Sequence, residues 1–286
     1  MLVFKREPRQ WFMIISPFVN VMSMILLLYT IVLSVPGGTS DQTKNAIRVL
    51  VAYFFPFFLL YGFCTSSGIY MIVSLLDKER KMRQYMFLAG VGPWAYYLGL
   101  YCADFLLYCL TVTSFTMFVF AFQLKVYTSQ FLGFFVIMIA FGGVLIPFTY
   151  LFQHWFKSSD SAFRFIGVTY ICLGCLVPVA AVIVFSLVTL GNPVGAYVGN
   201  TLVYVLDPLY VFYMGVYDLV FTWLSKTYFP NQPVVQVMIN PKMPASPMVT
   251  SITCLCQAII LLLLVVWKDT SDCNAFKKVG GKDGAI

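Results

Sequence analysis

Long apolar segments recur along the chain, separated by short polar stretches. Six of them run to about 20 residues or more, enough for an α-helix rising about 1.5 Å per residue to cross a hydrocarbon core about 30 Å thick. The apolar run 54–60 does not alternate in polarity, unlike the strands of a transmembrane barrel. We therefore predict an all-α integral membrane protein, a single transmembrane domain over residues 1–286. Its six transmembrane helices are expected at residues 11–35, 49–76, 95–122, 131–156, 165–190 and 248–267.

The region 191–247 breaks this pattern. Its first part is apolar and aromatic, but Asn192-Pro193 and Asp207-Pro208 interrupt it too often for two crossings. We predict a re-entrant helical hairpin that enters from the outer face over residues 197–224, followed by an extended external loop. Irregular backbone at such a depth requires shielding by other helices or a wet cavity. Asp207 is expected to cap the helix that begins at Pro208.

Composition and charge indicate the class of protein and the orientation of the chain in the membrane. The chain is 60% hydrophobic and only 10% charged, whereas a soluble domain is about a quarter charged, which excludes a soluble enzyme. Because cytoplasmic loops retain Lys and Arg, the thirteen of eighteen basic residues on the side of the termini place both termini in the cytoplasm or matrix. The net charge of +7 is expected to attract anionic membrane lipids, and no nucleic-acid partner is expected.

Residues for catalysis are scarce. The single histidine, His154, cannot build a two-imidazole metal site or a Ser/His/Asp set, and no G-x-x-x-x-G-K-[ST] phosphate loop occurs. The pairs Cys172-x-x-Cys175 and Cys254-x-Cys256 lie in predicted spans, where we interpret them as packing elements because Zn²⁺ would need further ligands. We predict no catalytic residue, no metal and no cofactor, so any ATPase activity would reside in a partner chain.

The segment 77–94 is the strongest cytoplasmic feature. Charged side chains predominate at residues 77–83. Apolar side chains at helical spacing are found at Met82, Met86 and Ala89. The stretch Gly90-Val-Gly-Pro93 then provides a stop signal before the next span. The pattern predicts an amphipathic helix along the inner membrane surface, ended by a turn.

Two interpretations of this segment remain open. It can be a basic anchor that only fixes orientation, or a docking helix that presents its charges to a cytoplasmic partner, namely Glu79, Arg80 and Arg83.

Polar residues inside the predicted spans are a second group of candidates. A carboxylate at mid-bilayer costs roughly 2.5–3.5 kcal/mol. Asp104, about ten residues into the third span, should therefore face other helices or a wet cavity, as a hydrogen-bonded structural group or as a substrate contact. Asn20 and Ser66 allow the same two interpretations, interhelical hydrogen bonding or the lining of a translocation path. His154 is expected to be an interfacial anchor.

The order of the basic, charged, glycine-containing and aromatic segments along the chain forms a recognisable pattern. A basic segment at residues 4–12 leads into the first span, and the charged run 79–86 precedes Gly90-Val-Gly-Pro-Trp-Ala-Tyr-Tyr97 and Asp104-Phe-Leu-Leu-Tyr108. The segment Leu206-Asp-Pro-Leu-Tyr-Val-Phe-Tyr-Met-Gly215 comes before the last span. This arrangement resembles one membrane half of the subfamily A ATP-binding cassette transporters, within the type 2 exporter membrane-domain superfamily, and the resemblance covers essentially the whole chain.

The resemblance implies a role for each part. The stretch matching Glu79 to Gly90 would be the coupling helix that touches the ATPase domain, and residues 1–10 would belong to a connecting segment on the inner leaflet. The stretch matching 197–224 would form the re-entrant helices. Family members mostly move lipids or other hydrophobic molecules, so we expect a permease subunit with such a substrate.

The resemblance also implies partners. In the family an ATP-binding domain follows the last span, and residues 268–286, which we expect to be a flexible cytoplasmic tail, cannot supply one. We therefore expect a separate ATP-binding subunit and a second membrane half. The alternative is a transporter-derived structural subunit of a large membrane assembly, such as a mitochondrial respiratory supercomplex, without transport activity.

Overall fold

The computed structural model describes residues 56–57, 59–64, 67–121, 125–156, 158–173, 193–228 and 246–280, together with Val19 and Ala180. Over these ranges the chain is helical and contains no strand, which confirms the predicted all-α class for this part of the protein. The helices are α1 Gly68–Glu79, α2 Met82–Leu88, α3 Pro93–Ala121, α4 Lys125–Ser129, α5 Phe131–Phe152, α6 Ser159–Ile171, α7 Pro193–Leu206, α8 Pro208–Tyr228 and α9 Pro247–Gly280.

Among the residues that the structure describes, four helical segments are long and apolar enough to cross a membrane: Leu59–Glu79, Pro93–Ala121, Phe131–Phe152 and Pro247–Ser271. They correspond to the second, third, fourth and sixth predicted spans, so the chain is a multi-pass integral membrane protein. The first predicted span lies outside the described residues apart from Val19. Of the fifth, only the part overlapping α6, its continuation to Leu173 and the single residue Ala180 are described, so the number six stays a prediction.

Helix α5 lies at the centre of the described bundle. It packs most extensively against α9 and also contacts α1, α3 and α8. Because lipid tails are as apolar as the helices, association in a bilayer depends on close packing and interhelical hydrogen bonds rather than on burial from water. The ring of Phe141 on α5 stacks on Phe212 of α8 with centroids 4.0 Å apart. Close packing of large aromatic side chains therefore holds the centre together.

Hydroxyl groups fix the contact between α3 and α5. Tyr101 and Tyr108 are seven residues apart and lie on one face of α3. Pro147 has no N–H to donate to the carbonyl of Gly143, and the Tyr101 hydroxyl donates to that oxygen instead, at 3.2 Å. Two turns further along α3, the Tyr108 hydroxyl donates to the carbonyl of Met138 at 2.8 Å. The proline in α5 is thus accommodated by its neighbour.

Asp207 separates α7 from α8. Its Oδ1 accepts the backbone N–H of Leu209 at 2.9 Å, which confirms the predicted cap. At the end of α7 the carbonyl of Val205 accepts Nε2 of Gln257 on α9 at 2.7 Å, so a carbonyl without an intrahelical partner is satisfied. The two helices contact each other and also α9. The helical pair covers the residues of the predicted hairpin, and a re-entrant hairpin that enters from the outer face stays a prediction.

Helix α9 continues beyond the end that the sequence predicts. The sequence predicts a last span that ends at residue 267, whereas the helix extends to Gly280. The flexibility of the tail stays a prediction, and residues 281–286 lie outside the described ranges. A tertiary contact explains part of this extension, because Asp269 is only 5% exposed and is held by residues of other helices. The part of α9 around Asp269 therefore belongs to the packed structure.

Candidate functional site

The charged segment after the second span forms two helices rather than one. Helix α1 runs to Glu79, and Lys81, in the left-handed region with a φ of 56°, turns the chain into α2. Helix α2 ends before Gly90, whose φ of 93° is a conformation that favours glycine. This arrangement makes α2 a short element between two spans, at the position where the sequence predicts a coupling helix.

The burial of α2 differs from the predicted amphipathic pattern. Arg83 is only 6% exposed, although the sequence groups it with charges offered to a partner. Met82, by contrast, is 50% exposed, and Leu88 is 81% exposed. The reason is that Arg83 meets a buried carboxylate from a distant part of the chain, which a local pattern cannot reveal. Glu79 and Arg80 lie exposed.

Arg83 forms charge-assisted hydrogen bonds with three neighbours. Its Nη1 donates to the two carboxylate oxygens of Asp269 at 2.8 and 3.1 Å. Its Nη2 donates to the carbonyl of Ser74 at 2.8 Å and to Oε1 of Gln153 at 3.0 Å. Such bonds are shorter and about twice as strong as neutral ones. The guanidinium is therefore fixed from several directions.

The neighbours of Arg83 also bond to one another. The Tyr97 hydroxyl donates to Oδ2 of Asp269 at 2.8 Å and accepts Nε2 of Gln153 at 2.7 Å. The Ser74 hydroxyl donates to Oε1 of Gln153. The guanidinium carbon also lies 5.5 Å from the centre of the Tyr97 ring, within cation–π range. We call these five side chains the inner cluster: Ser74, Arg83, Tyr97, Gln153 and Asp269.

The inner cluster joins five parts of the fold. Its members come from α1, α2, α3, α9 and the turn that follows α5. An ion pair loses several kcal/mol per ion on leaving water and persists only where hydrogen bonds compensate it, as they do here. Burial lowers the pKa of Arg83, but Tyr97 and Asp269 raise it more, so the pKa lies above its ordinary value and the group stays charged. The cluster is a charged link between α2 and the spans.

Two further contacts extend the inner cluster. The Tyr96 hydroxyl donates to Oδ2 of Asp77 at 2.9 Å, which adds a second link between α3 and α1. The side chain of His154, expected to be an interfacial anchor, is only 10% exposed, and its Nε2 lies 4.0 Å from Oδ1 of Asp269.

Four members of the inner cluster were not among the sequence candidates. Ser74, Tyr97 and Gln153 are ordinary polar residues at span ends, and nothing in their spacing marks them. Asp269 carries a weak signal, because an acidic side chain at the end of an apolar span needs a partner. Its partner, Arg83, lies 186 residues away along the chain.

Asp104 lies within the bundle, between α3 and α5. It is 8% exposed and accepts the hydroxyl of Tyr150. This contact agrees with the hydrogen-bonded structural interpretation, whereas a role in a translocation path stays a prediction. Asn20 and Ser66, the other two candidates for that path, lie outside the described residues.

The Tyr150→Phe variant tests the hydrogen bond to Asp104. Hydrogen bonds between transmembrane helices contribute about 0.6–1.7 kcal/mol, so we expect a loss of about 1 kcal/mol from the free energy of unfolding. The measurement is the thermal unfolding midpoint in detergent. Tyr85→Phe is the control, because Tyr85 is 64% exposed and should leave the midpoint unchanged. Equal midpoints for both variants would show that the bond to Asp104 contributes nothing.

The sequence profile of the ABC-2 family transporter proteins matches residues 15–268, nearly the whole chain. Two curated relatives are the ATP-binding cassette sub-family A member 2 proteins of Homo sapiens and Rattus norvegicus. Each is 27% identical over 142 residues, which is 49% of this chain. The match covers only 6% of either relative's length. The extent of the profile match decides the assignment: the chain belongs to the ABC-2 family of transporter proteins.

Proposed function

We propose that this chain is the membrane-spanning permease subunit of an ATP-binding cassette transporter, with a hydrophobic substrate and lipid as the first candidate. It would work with an ATP-binding subunit and a second membrane half, with both of its own termini on the side of that ATP-binding subunit. Support comes from the family assignment and from the relatives, whose names include an ATP-binding cassette. Within this proposal, ATP binding is assigned to the ATP-binding subunit.

The inner cluster is the observation that carries this proposal. A partner that pushes on α2 acts on Arg83, and Arg83 is bonded to Ser74, Gln153 and Asp269. Displacement of α2 must either move α1, α5 and α9 with it or break buried charged bonds. Packed helices of this kind switch between discrete arrangements rather than deform gradually. ATP-driven movement of the partner can in this way change the access of the spans to either side of the membrane.

The exposed side of α2 would be the surface that meets the partner. Glu79 and Arg80 contribute charges, and the helix itself exposes three apolar side chains, Met82, Tyr85 and Leu88. An apolar centre with a charged rim is typical of a protein interface. Within this proposal Arg83 anchors the buried side of α2 to the spans, and Gly90 allows the turn into α3. Asn20, Ser66 and Asp104 are proposed contacts of the translocation path.

Purification from native membranes in a mild detergent tests the proposal. We expect an ATP-binding protein to be recovered with the chain and the sample to hydrolyse ATP. Recovery without such a protein and without hydrolysis would contradict a permease role.

The Leu88→Asp variant tests the docking surface. Leu88 is 81% exposed, so the change should not disturb the packed bundle. Placing a carboxylate in an apolar contact is expected to reduce the recovered ATP-binding subunit about tenfold, which corresponds to about 1.4 kcal/mol. The measurement is the ratio of the two proteins after purification. Lys226→Asp, at the exposed end of α8, is the control, and an equal ratio in both variants would place the contact elsewhere.

A further inference from the structure

We propose that a groove between the first turn of α3 and the inner half of α9 binds one anionic phospholipid of the inner leaflet. The groove has a volume of about 550 Å³ and is open on one side. Trp94 lines it from α3, and the face of α9 from Ile260 through Leu264 to Trp267 lines it from the other side, with Thr270 at one end. This inference goes beyond the proposed function, because it concerns a lipid that stays bound whether or not lipid is transported.

The groove is apolar along most of its length and open to the surroundings. Ile260 is 57% exposed and Leu264 is 42% exposed, although both lie in a helix that crosses the membrane. In the bilayer such side chains face acyl chains. Ligand sites in proteins usually have volumes of about 300–1,000 Å³, a range that includes this groove.

The two tryptophans place the groove at the inner boundary of the membrane. Trp94 lies in the first turn of α3, directly after the cytoplasmic turn, and Trp267 lies at the predicted end of the last span. Both are exposed, at 46% and 69%. Indole rings favour the level of the lipid headgroups. The part near Ile260 therefore reaches into the hydrocarbon, while the part near Thr270 lies at the headgroups.

Charge selects the type of headgroup. Lys268 is exposed and follows Leu264 by four residues, so it lies one turn further along the same face of α9. The neighbouring acid, Asp269, is turned into the inner cluster, where Arg83 neutralises it. Lys268 does not line the groove itself but places a cation beside its headgroup end, where Asp269 adds no competing charge. The inner leaflet supplies anionic lipids, and a phosphate beside Lys268 with an acyl chain along Ile260 and Leu264 fits both ends of the groove.

Fluorescence quenching in nanodiscs tests this site. Two full-length variants each keep one tryptophan, Trp94 or Trp155, with the others replaced by phenylalanine. Trp155 is the matched control because it is 71% exposed after the inner end of α5 but does not line the groove. Each variant is placed in phosphatidylcholine containing brominated phosphatidylserine or, at the same mole fraction, brominated phosphatidylcholine. We expect brominated phosphatidylserine to be enriched about fivefold at Trp94, the factor expected for one lysine near the surface, and not at Trp155.

Charge variants then separate this site from general lipid contact. Lys268→Ala should abolish the preference at Trp94. Equal quenching by both lipids at Trp94 would overturn the proposal, and absence of quenching would show that another protein surface fills the groove. Native mass spectrometry with all tryptophans retained gives a second measurement: Lys268→Ala should retain less phosphatidylserine than the control Lys226→Ala, and equal retention would overturn the proposal.

Discussion

The Arg83→Ala variant is expected to lose about 3–5 kcal/mol from the free energy of unfolding, the usual range for removing one partner of a buried ion pair. The loss is large because Asp269, at 5% exposure, would remain buried without its cation. Oε1 of Gln153 and the carbonyl of Ser74 would also lose a donor. The measurement is the thermal or denaturant unfolding midpoint of the purified chain in detergent.

Two further variants make this result specific. Arg80→Ala removes an exposed arginine three residues earlier and should change the free energy of unfolding by no more than about 0.5 kcal/mol. Asp269→Asn in the Arg83→Ala background removes the unpaired charge, so the double variant should lose less than the sum of the single losses. Additive losses would mean that Arg83 and Asp269 do not stabilise the protein as a pair.

The same pair provides a test of coupling. Arg83→Lys keeps the charge but loses the rigid fork that bonds to Asp269 and to Gln153 at once. We expect this variant to retain the ATP-binding subunit, because the exposed side of α2 is unchanged, and to transport less substrate for each ATP hydrolysed. An unchanged ratio of transport to hydrolysis would separate the inner cluster from coupling and leave it a purely structural link.

The Gly142→Ala variant has the second largest expected effect. A Cβ at this position of α5 would overlap the ring of Tyr108. That ring cannot move aside easily, because it is 1% exposed and its hydroxyl bonds to Met138. Overpacking a well-packed core costs about 1–3 kcal/mol, and we expect a loss in this range. The measurement is again the unfolding midpoint in detergent.

Gly99→Ala is the matched control for this prediction. Gly99 lies in α3, and a Cβ there would have no atom within 4 Å. The substitution should stabilise the helix by about 0.5–1 kcal/mol, since glycine in a helix interior is unfavourable relative to alanine. Stabilisation by both substitutions would show that α3 and α5 do not approach as closely as the Tyr108 contact requires.

Structural features that depend only on residues close together in the chain were predictable from the sequence. Continuous apolar runs identified the four described spans, because a helix that crosses a bilayer needs about 20 apolar residues in sequence. The cap at Asp207 and the turn at Gly90 were equally accessible, since each depends on neighbours one to three residues away. The same local patterns failed at Arg83, which the sequence groups with the charges offered to a partner and which the fold buries.

The sequence by itself determined the membrane class, the helical character and the positions of the main spans, because hydrophobic length and local chain conformation are properties of contiguous residues. Only the tertiary structure decided which charge is buried, how far α9 extends and where the inner cluster and the groove lie. Arg83 and Asp269 are 186 positions apart, and their pairing depends on how the spans pack around α5. An arginine exposed to water and an arginine buried in an ion pair look the same in the sequence. Only their neighbours in space distinguish them.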